Sequence, residues 1–144
     1  MRCNALKSLF CLVAVVALFV GIGAIWAQEE HDPATVPADI PADAKAQKNP
    51  REATPQSIAG GKQIFTSQCV MCHGATGDGK GDLAAKFKYK MPDFTSAEVQ
   101  ANWSDGALYY VLTNGHGKMT GEGDRLEEET RWDLVNYVRQ LGKS

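Results

Sequence analysis

The densest chemistry in the chain is the run Cys69-Val70-Met71-Cys72-His73. Two thiols one helical turn apart, followed at once by an imidazole, match the pattern for covalent attachment of a c-type haem. The reaction explains the spacing. Each sulfur adds to one vinyl group on the same edge of a porphyrin, and the adjacent imidazole is then placed to ligate the iron from one side. Other readings of the two cysteines explain less. Structural zinc takes about four N, S or O ligands, and the further cysteines, Cys3 and Cys11, are separated from this motif by an apolar run. A redox dithiol expects a strand–turn–helix setting within an α/β pattern, which the flanking sequence lacks. A plain disulfide suits an oxidising compartment but leaves His73 without a role.

Several elements must hold these groups in place. Ahead of the motif, Ile58, Gly61, Ile64/Phe65 and Gln68 recur at helical steps behind Ser57, which reads as the cap of a short helix. Behind it, Gly74 to Asp82 is a turn-forming loop. It lacks the strand and helix that flank a phosphate loop, and the spacing and final Glu of an EF-hand. Thr95 with Glu98 fits a capping box. Ser104 to Thr113 reads as a second helix closed by Asn114-Gly115, with Leu108, Val111 and Leu112 turned inward. A last helix spans Glu127 to Leu141, with Leu134, Tyr137/Val138 and Leu141 in an apolar stripe widened by Trp132 and Val135. Its acidic start and basic end suit the helix dipole.

The whole chain has 144 residues, 15 basic against 17 acidic, a net charge of −2 and a pI near 5.9. That balance excludes a strongly basic nucleic-acid binder. Three regions differ in composition. Residues 1–27 carry Arg2 and Lys7 ahead of the uncharged run Leu9 to Ala27, then Glu29 and Glu30. This pattern is a signal peptide or an N-terminal membrane anchor, with the remainder translocated. Residues 28–56 hold Pro33, Pro37, Pro41, Pro50 and Pro55, many alanines and no aromatic residue, so they are expected to be a flexible linker. Residues 57–144 hold the chemistry.

Over Ser57 to Lys143 the sequence resembles the small class I cytochromes c, through the attachment motif, the Gly-rich stretch, a later Met and the final amphipathic helix. The resemblance implies an all-α fold of a few short helices around one covalently bound haem c. Cys69 and Cys72 would carry the haem, and His73 would be one axial ligand of its iron. The second ligand must come from the opposite side. Met71 is inside the attachment loop and cannot reach there. Met119 follows a long segment ending in a glycine-loosened loop, Asn114-Gly115-His116-Gly117-Lys118, and is the expected ligand. Thr120 stands where the family often has Pro. Met91, which does precede a Pro, is the runner-up, and His116 comes third. The resemblance also implies that a loop carbonyl accepts the His73 N–H, and that Gly61, Phe65 and Tyr137 meet where the first and last helices cross. Trp103 is a core residue or a partner for a haem propionate. Lys86, Lys88 and Lys90 are a solvated face, or a docking patch for an acidic partner.

The function expected from these readings is one-electron transfer between a redox donor protein and an acceptor, without enzymatic turnover and without nucleic acid. With both axial positions filled, the iron exchanges electrons and does no substrate chemistry. The alternatives are a haem-based small-ligand sensor or redox enzyme with a labile sixth ligand, and a dedicated cytochrome subunit of a larger complex. The expected location is the periplasmic side of a bacterial inner membrane, anchored through residues 9–27 or soluble after cleavage.

Overall fold

The last helix organises the rest. In the computed structural model, which describes residues 32–143, helix α7 (Glu128–Leu141) buries Trp132, Leu134, Val135, Asn136, Tyr137, Val138 and Leu141. The apolar run 9–27, expected as signal or anchor, lies outside the described residues. No helix among the described residues is long and apolar enough to cross a membrane.

Helix α2 (Pro55–Ile64) crosses α7. The crossing is close because Gly61 has no side chain: a Cβ there would stand 2.7 Å from the carbonyl carbon of Asp133. Next to it the Phe65 ring meets Tyr137 edge-on, with centroids 5.3 Å apart. The expected trio of Gly61, Phe65 and Tyr137 is thus brought together. The cap differs from expectation. Thr54, not Ser57, accepts the Ser57 N–H, and Pro55 begins the helix, where its fixed φ suits the first turn. The Ser57 hydroxyl donates instead to Asp133 of α7, 2.6 Å away.

Beyond α2 the helix widens into a π-helical turn, Phe65–Cys69, before the short α3 (Val70–His73). A loop leads to α4 (Asp82–Phe87), then to α5 (Ala97–Asn102) and α6 (Asp105–Asn114). Helix α5 is capped by Ser96, whose side chain accepts the Val99 N–H; Thr95, the expected cap, instead donates its hydroxyl to Asp93 at 2.6 Å. Helix α6 is capped by Ser104, whose side chain accepts the Ala107 N–H, and it buries Leu108 and Leu112, while Val111 is half-buried. A minimal antiparallel hairpin follows, β1 (Gly115–His116) with β2 (Met119–Thr120), pairing Gly115 with Thr120 and His116 with Met119. The fold is mostly helical, as expected; this hairpin is its single sheet among the described residues.

The expected linker is packed from Asp32 onward. Ile40 is 3% exposed and belongs to the main core, with Ala34, Val36 and Ala44 against it. Helix α1 (Ala42–Ala46) lies along α6. Further on, Asn49 donates to Asn136 at 2.9 Å, and Arg51 holds Asp133 through two bonds of 3.2 Å. Prolines give this segment an extended path with few backbone donors to satisfy, and its scattered apolar side chains supply the anchors. Composition alone does not show that.

Candidate functional site

Helix α3 is one turn long and carries both cysteines and the histidine. It ends because Gly74 adopts a left-handed φ of 80°. The loop behind it folds back and is hung from the motif's own backbone: the Gly79 N–H donates to the His73 carbonyl at 2.9 Å, and the Gly81 N–H to that of Cys72 at 3.2 Å. This loop in turn accepts the Phe94 N–H at Gly77, 2.8 Å away. That bond places the Phe94 ring over His73, stacked at 5.0 Å and 21°. The Phe65 ring is also near, tilted to the imidazole, at 6.3 Å.

His73 is therefore enclosed by aromatic rings. Burial pushes its pKa down to about 4, so at neutral pH the imidazole is uncharged and has a lone pair available for a metal. Its Nδ1 is buried without a hydrogen-bond partner. The loop carbonyl implied by the resemblance does not make that bond here. Cys69 and Cys72 are both free thiols, half-buried. Burial, then Glu122, then Cys72 push Cys69 up to about 11, so it is held as the neutral thiol at pH 7.

Met91 and Met119 occupy different parts of the fold. The Met91 carbonyl lies 2.9 Å from where a Cβ of Gly79 would stand, and Gly79 is the residue bonded to the His73 carbonyl. Met91 is thus packed beside the loop that hangs from the motif. Met119 sits on β2, half-buried against the main core. Its hairpin is tied to the end of α6 by two backbone bonds, Glu122 N–H to Leu112 at 2.8 Å and Gly123 N–H to Thr113 at 3.0 Å. His116 is exposed beside Met119 and pairs with Asp39 at 3.5 Å.

Glu122 escaped the sequence reading: one of its carboxylate oxygens is buried without a hydrogen-bond partner, as are the indole nitrogens of Trp132 and Trp103, both expected in the core. Arg131 donates to the Tyr109 hydroxyl at 2.8 Å, and Tyr109 stacks on Trp132 at 3.8 Å. An isolated Glu in a Gly-rich stretch gives no sequence signal of burial, so Glu122 was not legible. Among the described residues no cluster of three or more His, Cys, Asp or Glu could hold a metal ion directly. The donors that the structure brings together are two thiols one turn apart and a neutral buried imidazole next to them. That set fits a haem with covalent attachment.

Comparison with known proteins agrees. Cytochrome c6 of Diacronema lutheri is 32% identical over 81 residues, which cover 56% of this chain and 92% of that protein. The cbb3-type cytochrome c oxidase subunit FixPc of Rhizobium leguminosarum bv. viciae is 32% identical over 83 residues; the match spans only 27% of its length. Among solved structures, a chain of the reducing HAO-like protein complex of Kuenenia stuttgartiensis superposes with a TM-score of 0.55 at 30% identity, covering 64% of this chain and 46% of that one. The profile of the Cytochrome c family matches residues 58–142, more than half of the chain, and this protein is accordingly a member of the cytochrome c family, of the class I type, an electron-transfer protein built around covalently bound haem c.

Proposed function

We propose that the chain is a one-electron carrier of an exported redox chain, with Cys69 and Cys72 tethering the haem and His73 and Met119 as the axial ligands of its iron. When bound, haem c supplies a one-electron ferric/ferrous couple. The observation that carries the reading is the single turn of α3, which presents two free thiols and a buried, uncharged imidazole in sequence. Met119 is favoured over Met91 because Met91 is packed beside the loop that hangs from His73, while Met119 comes from a separate element seated on the core. A thioether is soft and neutral, so it favours the ferrous state and raises the potential. Around His73, the rings of Phe94 and Phe65 exclude water and fix the imidazole.

The decisive experiment is the visible spectrum of the matured protein, oxidised and reduced, before and after carbon monoxide. A low-spin spectrum indifferent to carbon monoxide, with the weak red band of methionine-ligated ferric haem, is expected. That band should vanish in Met119→Ala and persist in Met91→Ala. Rapid carbon monoxide uptake by the native protein would mean an open sixth position and return the sensor reading. The mass of the mature protein decides whether residues 1–27 are cleaved as a signal or kept as an anchor.

A second reading is a cytochrome subunit docked in a larger assembly. Similarity to a cbb3-type oxidase subunit and to a chain of a multiprotein complex favours it. Co-purification of the native protein with stoichiometric partners would support this reading, and a monomeric native protein would support the free carrier.

A further inference from the structure

The segment that precedes the family-matched region makes an out-and-back path along α6. It starts beside the residue before Trp103, where the Ala34 carbonyl accepts from the Asn102 side chain at 3.2 Å. It turns at Pro37–Ile40, with the Ile40 N–H donating to Pro37 at 3.4 Å. There Asp39 reaches His116, beyond the far end of α6, at 3.5 Å. Helix α1 then returns to the start of α6, where the Ser104 hydroxyl donates to the Lys45 carbonyl at 2.6 Å. The return is close enough that a Cβ on Gly106 would stand 2.8 Å from the Gln47 carbonyl oxygen and fall on that of Ala44. Ile40, beside Asp39, is fully sunk in the core.

The turn of this path thus meets the hairpin that holds Met119. His116 is the direct cross-strand partner of Met119, so a group that fixes His116 also restrains the Met119 backbone. A hairpin of two residues per strand has little stability of its own. Backbone bonds at Leu112 and Thr113 tie it from behind, and the Asp39 pair adds a contact at its His116 end. We infer that residues 32–52 are a positioning strap for the Met119 hairpin, with Asp39 as the contacting residue and Ile40 as its anchor. The redox unit of this chain then begins near Asp32, ahead of the family-matched span at residue 58. The inference rests on Met119 being a ligand.

The test uses the full-length matured protein and two variants, Asp39→Asn and Ile40→Ala, with Asp39→Glu as the conservative rescue. Two signals are followed against denaturant: the red band of methionine ligation, and amide exchange at Gly115–Thr120 compared with α7. The Asp39–His116 pair is exposed, so its removal changes local opening by no more than about fivefold. Asp39→Asn should therefore raise exchange in the hairpin by up to about fivefold and leave α7 unchanged. Asp39→Glu should restore the native rate. Ile40→Ala should have a larger effect in the same place, and in it the red band should bleach before the helices unfold. Hairpin and α7 exchange rising together in Ile40→Ala, with Asp39→Asn at native rates, would make the strap ordinary core filling and overturn the inference. A native red band that survives Met119→Ala would instead remove the Met119 assignment, while hairpin exchange would still report the strap contact.

Discussion

At the residue scale, the site depends on side chains whose neighbours fix their protonation or rotation. Asp93 is an example one step away from His73, beside the Phe94 that stacks on it. The Thr95 hydroxyl, donating at 2.6 Å, and the Thr95 amide hold its carboxyl below the usual carboxylate range. These bonds fix the turn that delivers Phe94 onto His73. A carboxyl with a depressed folded pKa stabilises above its unfolded value of about 3.9, and loses that contribution as pH falls through the folded value. Thr95→Val should therefore lower thermal stability at neutral pH, and the gap from the native protein should close progressively below about pH 4. A constant gap across that range would show that the hydroxyl acts by packing rather than through the carboxylate. The motif residues were the most legible part of the chain, because thiol–vinyl chemistry fixes their types and spacing whatever the fold. Ser57 and Thr95 were misread for a physical reason. Several hydroxyls lie near each helix start, and sequence does not say that Thr54 and Ser96 supply the capping oxygens while Ser57 and Thr95 donate to Asp133 and Asp93.

At the scale of elements, the crossing of α2 and α7 was readable through the family resemblance, whose pattern sets a small residue opposite a backbone and an aromatic pair beside it. Gly61 leaves no room for a methyl group against Asp133 and Leu134. Gly61→Ala should force the helices apart and cost about 1–3 kcal/mol, as overpacking typically does, measured by chemical denaturation. An unchanged midpoint would mean that α2 slides along α7 without loss. Arg139 ties three further pieces together from α7: it donates to Asp105 at the start of α6, to Gln100 in α5 at 3.0 Å, and to the Trp103 carbonyl. The π-helical turn and the hairpin escaped sequence reading. One is a local widening with ordinary helix-forming residues, and the other has too few residues per strand for any alternation to show. The strap escaped for the opposite reason. Its composition matches unpacked chains, and its packing depends on surfaces that only the folded domain provides.

At the scale of the molecule, charge is unevenly placed although its sum is small. Lys86, Lys88 and Lys90 are exposed around Phe87, which is 53% exposed and stacks on Tyr89 at 5.6 Å. Met71, within the attachment motif, is likewise exposed. A basic rim around an apolar centre is the arrangement expected of a surface that steers and then seats an acidic redox partner. Replacing the three lysines with Glu should slow electron transfer from such a partner strongly at low salt. The difference should shrink above about 0.1 M ionic strength, where the Debye length falls to ~10 Å. Stopped-flow rates across a salt series would check this, and equal ratios at every salt concentration would make the lysines a solvated face only.

The latch between Asn49–Arg51 and α7 has a consequence for how the chain matures. Its bonds join residues 82 to 87 positions apart, and Ser57 reaches Asp133 across 76. A chain made from its amino end displays the Asn49–Arg51 half of this latch well before the α7 half. Until α7 is complete, α2 has no surface to close upon, and Cys69 and Cys72 remain on an open chain. The order of synthesis thus leaves both thiols open before α7 docks.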